Sequence, residues 1–153
     1  MKREYSKRPI LGVGAVVIED GKVLLVKRGK EPSIGEWSLP GGRVKLGESI
    51  RDAIAREIFE ETGLDIDIGD VVEILERIFI DKKGKVKYHY LLVDFLASPK
   101  GGNLMASSDA LDAAFFGKDE MDLMNLPAVT EEVILKGLDI FNSERKRNSQ
   151  RTT

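Results

Sequence analysis

Three glutamates, Glu57, Glu60 and Glu61, stand directly ahead of Gly63 in the segment GRVKLGESIRDAIAREIFEETGL, residues 42–64. If this segment is helical, they occupy its last turns, where the macrodipole is negative and acidic side chains are disfavoured. Spacings of three and four residues also set like charges side by side, at a cost of about 0.2–0.5 kcal/mol per pair. A local rule broken this plainly marks a functional site. A divalent cation would turn the repulsion into attraction, so the chemistry these residues could support is metal-assisted.

The rest of the composition narrows the metal. Cysteine is absent and His89 is the single histidine, which excludes thiolate and multi-histidine zinc sites. Oxygen ligands remain, and they suit Mg²⁺, Mn²⁺ or Ca²⁺. A formal net charge of −2 gives no bulk attraction for nucleic acid or an anionic membrane. No apolar stretch approaches the roughly 20 residues of a membrane span, and MKREYSKRPI lacks the apolar core of a secretory signal. The expectation is a cytoplasmic protein.

The helix that must carry the glutamates has clear limits. Ser49 can cap it, with Asp52 in capping-box register, and Gly63 can end it. Ile54, Ala55, Ile58 and Phe59 share one arc, while Arg56, Glu57, Glu60 and Glu61 share the opposite one. Before the helix, residues 11–18 and 23–26 form a hairpin around Glu19-Asp20-Gly21-Lys22, followed by a loop over 27–35 and a short strand at 37–39. After it, residues 65–80 and 86–97 read as strands, and 98–103 as a loop. A short helix is expected over 107–116, with Asp109 and Asp112 near its start. A terminal helix is expected over 130–141, capped by Thr130. Residues 142–153 are polar and basic and read as a frayed tail. One domain spanning 1–141 follows, of α/β (α+β) class, with helices on both faces of a mixed central sheet.

The full pattern is G-x5-E-x7-R-E-U-x-E-E-x-G-U, with U a bulky aliphatic residue. It is filled by Gly42, Glu48, Arg56-Glu57-Ile58, Glu60-Glu61 and Gly63-Leu64. This resembles the signature box of the Nudix hydrolases at every fixed position, and Trp37-Ser38-Leu39-Pro40-Gly41-Gly42 resembles the lead-in common in that family. The resemblance implies the Nudix fold, an α/β/α sandwich. It also implies a Mg²⁺- or Mn²⁺-dependent pyrophosphohydrolase acting on a small nucleoside diphosphate derivative. Carried over, Glu57, Glu60, Glu61 and the Gly41 carbonyl would be metal ligands. Arg56 would orient the carboxylates, Glu48 would support them, and Gly42 and Gly63 would supply backbone freedom. The general base would be Glu57, Asp109 or Asp112, and Arg28 and Trp37 are candidate substrate contacts.

Substrate choice in this family lies outside the box. The coenzyme A and NADH signature motifs are missing, and Phe79 and Ile80 stand where ADP-ribose enzymes often place a proline. The segment VLLVKRGKEPSIGEWSLPGG nevertheless looks most like short ADP-ribose or nucleotide-sugar hydrolases, with nucleoside triphosphate clean-up as the alternative and a non-catalytic nucleotide sensor as another. Many relatives are homodimers, which the resemblance extends to this chain.

Overall fold

A computed structural model describes residues 3–31 and 33–151. Pro32 of the expected loop and Thr152–Thr153 of the expected tail lie outside the described residues. The elements are β1 (Ile10–Glu19), β2 (Lys22–Arg28), β3 (Trp37–Ser38), β4 (Gly41–Arg43), α1 (Ile50–Thr62), β5 (Leu64–Ile80), β6 (Val86–Gly102), β7 (Ala110–Phe116), α2 (Lys118–Asp122) and α3 (Ala128–Arg151).

β1 is the axis of the molecule. Its run ILGVGAVVIE is buried almost throughout, as a strand covered on both faces must be. It pairs antiparallel with β2 and β4 but parallel with β6, from Ile10↔Tyr90 to Val17↔Ala97. The sheet, ordered β3-β2-β1-β6-β5 with β4 on β1 and β7 on β2, is therefore mixed. Alternation along β1 divides the core. Val13, Ala15 and Val17 pack with Ala53, Ile54 and Ile58 of α1. Val16 and Ile18 pack with Val133 and Ile134 of α3 on the other face. Burying each of these large aliphatic side chains contributes about 1.5–3 kcal/mol. Helices thus sandwich the sheet, as the α/β/α expectation requires.

α1 begins and ends as its sequence dictates. Ser49 Oγ accepts the Asp52 N–H at 3.1 Å, and Gly63 takes the left-handed conformation at φ 74°. The Gly63 N–H donates to the Phe59 carbonyl at 2.9 Å, closing the helix as a C′ glycine does.

Four boundaries differ from the sequence reading. Residues 110–116 form a strand rather than a helix, because the open edge of β2 pairs with them from Val23↔Phe116 to Arg28↔Ala110. A partner strand here outweighs the local helical signal. Residues 98–102 of the expected 98–103 loop are a bulged continuation of β6, held to residues 64–67 of β5. Thr130 is buried inside α3, which begins at Ala128 and so is not capped there. Finally, α3 runs to Arg151, so most of the expected frayed tail is helical.

Candidate active site

The box residues meet where the C-terminal half of α1 crosses β4. Gly42 faces α1, and a Cβ built on it would come 2.3–2.6 Å from the Glu57 carboxyl atoms. The missing side chain is the space in which Glu57 sits. Gly41 donates its backbone N–H to Glu61 Oε1 at 2.9 Å, although the two residues are twenty apart in sequence.

Arg56 organises the charges around it. Its Nε and Nη2 donate to the two Glu48 carboxylate oxygens at 2.7 and 3.0 Å, and Nη1 reaches Glu57 Oε1 at 2.8 Å. Nη1 lies 3.3 Å from Glu60 Oε2, and Nη2 also donates to the Arg43 carbonyl at 3.0 Å. A planar guanidinium can bind several acceptors in fixed directions, as a lysine cannot. The arginine, then the Lys45 N–H, hold the Glu48 carboxyl down at about 2, and Glu48 with Glu57 pushes the Arg56 pKa up.

The remaining carboxyls feel the opposite pull. Burial raises Glu57 above its ordinary value despite the hydrogen bond from Arg56. Glu61 is only 8% exposed. Its burial, opposed by the Gly41 N–H and reinforced by the charges of Glu57 and Asp109, pushes it up to about 8, while Arg28 pulls it down. An acid this poorly compensated is one that a cation would keep ionised.

The arrangement differs from a ready-made cage. Among the described residues no three acidic or histidine side chains converge on a common point. Arg56 lies between Glu57 and Glu60, Glu60 points outward, and Glu61 turns to Gly41. The donor set nevertheless suits a hard divalent ion. It offers carboxylate oxygens, a cradle cleared by Gly42, and a buried acid with a single hydrogen-bond donor.

The acidic pole of α1 is stabilised by a segment the sequence reading did not connect to it. Backbone N–H groups of Met105 and Ser107 donate to the carbonyls of Thr62 and Glu61 at 2.9 and 3.0 Å. The Ser107 hydroxyl donates to the Glu60 carbonyl. The orphan carbonyls of the helix end are thereby satisfied.

The other candidates separate. Asp109 precedes β7, pairs with Lys30 at 2.7 Å, and acts electrostatically on Glu61. Asp112 lies exposed on β7 opposite Lys27 and accepts the Ala113 N–H at 2.8 Å. Arg28 lines the adjoining cleft. Trp37 does not face it. Its ring meets Phe116 edge-on at 5.0 Å and, partly buried, packs against the α3-side core. His89 faces Glu76 across the β5–β6 pair at 3.1 Å.

The cleft runs from Gly41 and Gly42 over the α3 face of β1 and β6 and occupies about 990 Å³ counting its open mouth. Arg3, Arg28, Arg43 and Arg77 line it, with Leu92 and Asp94 on its floor. Sequence reasoning missed this floor. The available signals were glycines at alternate positions of β1 (Gly12, Gly14) and one acid, Asp94, inside the apolar run LLVDFLA.

The sheet order, the box on α1 and the adjoining basic cleft define a Nudix hydrolase. The chain belongs to the Nudix family: residues 8–136 match the NUDIX domain. It is 37% identical over 142 residues to the ADP-ribose pyrophosphatase of Methanocaldococcus jannaschii, covering 88% of this chain and 79% of that one. Among solved structures it is similar to a MutT NUDIX hydrolase from Burkholderia pseudomallei, with a TM-score of 0.72, 28% identity, and 85% and 98% of the two chains covered. An ADP-ribose pyrophosphatase from Streptococcus suis is similar at a TM-score of 0.65 and 29% identity, with 87% and 92% covered.

Proposed function

We propose that this pyrophosphohydrolase cleaves the diphosphate linkage of an ADP-ribose-like nucleoside diphosphate derivative, with Mg²⁺ or Mn²⁺ as cofactor. The observation that carries the reading is that Glu57 and Glu61 meet Gly42 and Gly41, two residues that line the arginine-bearing cleft. Glu57, Glu60, Glu61 and the Gly41 carbonyl would hold the ion. Bound there, a divalent cation would neutralise charge on the diphosphate and acidify a water.

The chain's own residues supply the rest. The arginines of the cleft draw in and align the two phosphates, so that attacking and leaving oxygens stand in line. Arg56 fixes Glu57 against Gly42, and Glu48 fixes Arg56. Glu57 or Asp109, whose charges both reach Glu61, accepts the water proton; Asp112, exposed on β7, is the third candidate. Water adds to one phosphorus and the bridging P–O bond breaks, so ADP-ribose would give AMP and ribose 5-phosphate.

The names of the relatives from M. jannaschii and S. suis support ADP-ribose as the first substrate to try. The test is a panel of nucleoside diphosphate derivatives and nucleoside triphosphates, assayed with each metal for released monophosphate or phosphate. AMP from ADP-ribose at the highest kcat/KM supports the proposal. Turnover confined to triphosphates overturns the substrate, and tight binding without any cleavage overturns the reaction.

A further inference from the structure

Asp94 has no role in the chemistry described above, yet its position is unusual. It stands at the middle of β6, 6% exposed, and lines the cleft. Its carboxylate makes no hydrogen bond or ion pair among the described residues. A buried carboxylate normally carries several donors, since stripping its water without replacement costs several kcal/mol. Burial and the nearby charge of Glu73 push Asp94 up to about 6, with Arg77 opposing them.

The backbone around it is cut away. Gly14 is the register partner of Asp94 on β1, and a Cβ there would fall 2.4 Å from Asp94 Oδ1. Gly14 is also the partner of Gly41 on β4. Gly41, Gly14 and Asp94 therefore form one row across three strands, with the carboxylate two strand spacings, roughly 10 Å, from the backbone that meets Glu61. Gly12, one pleat away, continues the bare track beside Leu92. On the same face of β6, the buried Tyr90 hydroxyl has no partner among the described residues.

In a cleft lined by arginines, a carboxylate is the group a phosphate avoids. It must therefore lie where the uncharged part of the ligand goes, and that part must bring hydrogen-bond donors. Adjacent to a diphosphate held at Gly41, the nearest donors are the hydroxyls of the attached sugar. We propose that Asp94 is a specificity-determining residue that accepts hydrogen bonds from the hydroxyls of a ribose next to the diphosphate, so that the enzyme selects hydroxylated sugars over deoxy ones. This rests on the proposed diphosphate substrate, and it adds a selection that the box residues cannot make. A site that buries a polar group to meet a hydroxyl discriminates strongly against the analogue lacking it.

The experiment compares wild type, Asp94→Asn and Asp94→Ala on ADP-ribose and on analogues lacking the 2′- and 3′-hydroxyls of one ribose or the other. Wild type should prefer the hydroxylated substrate by roughly 10- to 100-fold in kcat/KM, the range of a hydrogen bond to a charged group. Both variants should lose most of that preference through KM on ADP-ribose, with kcat and the deoxy analogue little changed. Circular dichroism and melting establish that they fold. Equal losses on both substrates, or an unchanged ratio, overturn the role of Asp94 while leaving the hydrolase intact. If wild type cleaves no member of the set, calorimetric binding of the same ligands still decides it: a deoxy analogue that binds wild type as tightly as ADP-ribose refutes the selection.

Discussion

Two regions less than three strands apart treat charge in opposite ways. At the rim, where α1 meets β4, Glu48, Glu57, Glu60 and Glu61 all have a donor, and one guanidinium serves three of them. On the cleft floor, among the described residues, the Tyr90 hydroxyl is buried without a partner, and Asp94, 6% exposed, faces the cleft with no hydrogen bond from another side chain or backbone group. The rim is a pre-arranged network, stiff because each group fixes the next. The floor instead presents polar groups to the open cleft, where a ligand can meet them. On the proposed reading, preorganisation serves the reacting centre, whereas the groups on the floor serve selection.

The largest effect should come from the rim. Glu61→Gln or Glu60→Gln is expected to lower kcat by at least about 10²–10³-fold, measured on ADP-ribose with saturating Mg²⁺. The Glu61 variant should melt no lower than wild type without metal, since it removes a buried acid that burial disfavours. A large fall in Tm with no change in metal dependence would show Glu61 to be structural.

The two glycines then sharpen the contrast. Gly42→Ala would press on the Glu57 carboxyl, the movable end of a side chain, so the fold should survive while kcat drops about 10-fold or more. Gly14→Ala would press on Asp94 instead, and should raise KM more than it lowers kcat. The reverse pattern in steady-state kinetics would break the division between rim and floor.

Next comes Arg56→Lys. Lysine cannot fork between Glu48 and Glu57, so urea denaturation should show a loss of about 1–3 kcal/mol, less than a fully buried pair would give because the site is partly exposed. Stability equal to wild type would mean that the network costs as much as it returns.

The smallest effect is a pH-dependent one at the floor. Asp94 is raised from its unfolded value near 3.8 to about 6 in the fold, so the folded protein binds the extra proton and loses stability as pH rises through that window. Asp94→Asn should therefore be more stable than wild type at pH 7–8, by roughly 1–3 kcal/mol at most. The advantage should shrink to nothing below about pH 4. Thermal melts from pH 4 to 8 check this, and a gain that is flat with pH would remove the titration as its cause.

The comparison also explains what could be read beforehand. The rim lies largely within one 23-residue stretch, and its cap, amphipathic arc and glutamates follow local rules of helix geometry, so residue types and spacing revealed them. β7 was misread because residues 110–116 owe their state to the β2 edge, which no local propensity encodes. The capping of α1 by Met105 and Ser107 and the position of Asp109 depend on the same return of the chain.

The sequence by itself determined the family box, the limits of α1, the β1–β2 hairpin and the oxygen chemistry of any metal site. These rest on contacts within a few residues or on the periodicity of a single element. Only the tertiary structure decided that Gly41, Gly14 and Asp94 share a row, that Trp37 meets Phe116 and that the acidic helix end is capped from afar. Such facts depend on strand register, which is set by the summed burial of both sheet faces rather than by any one segment.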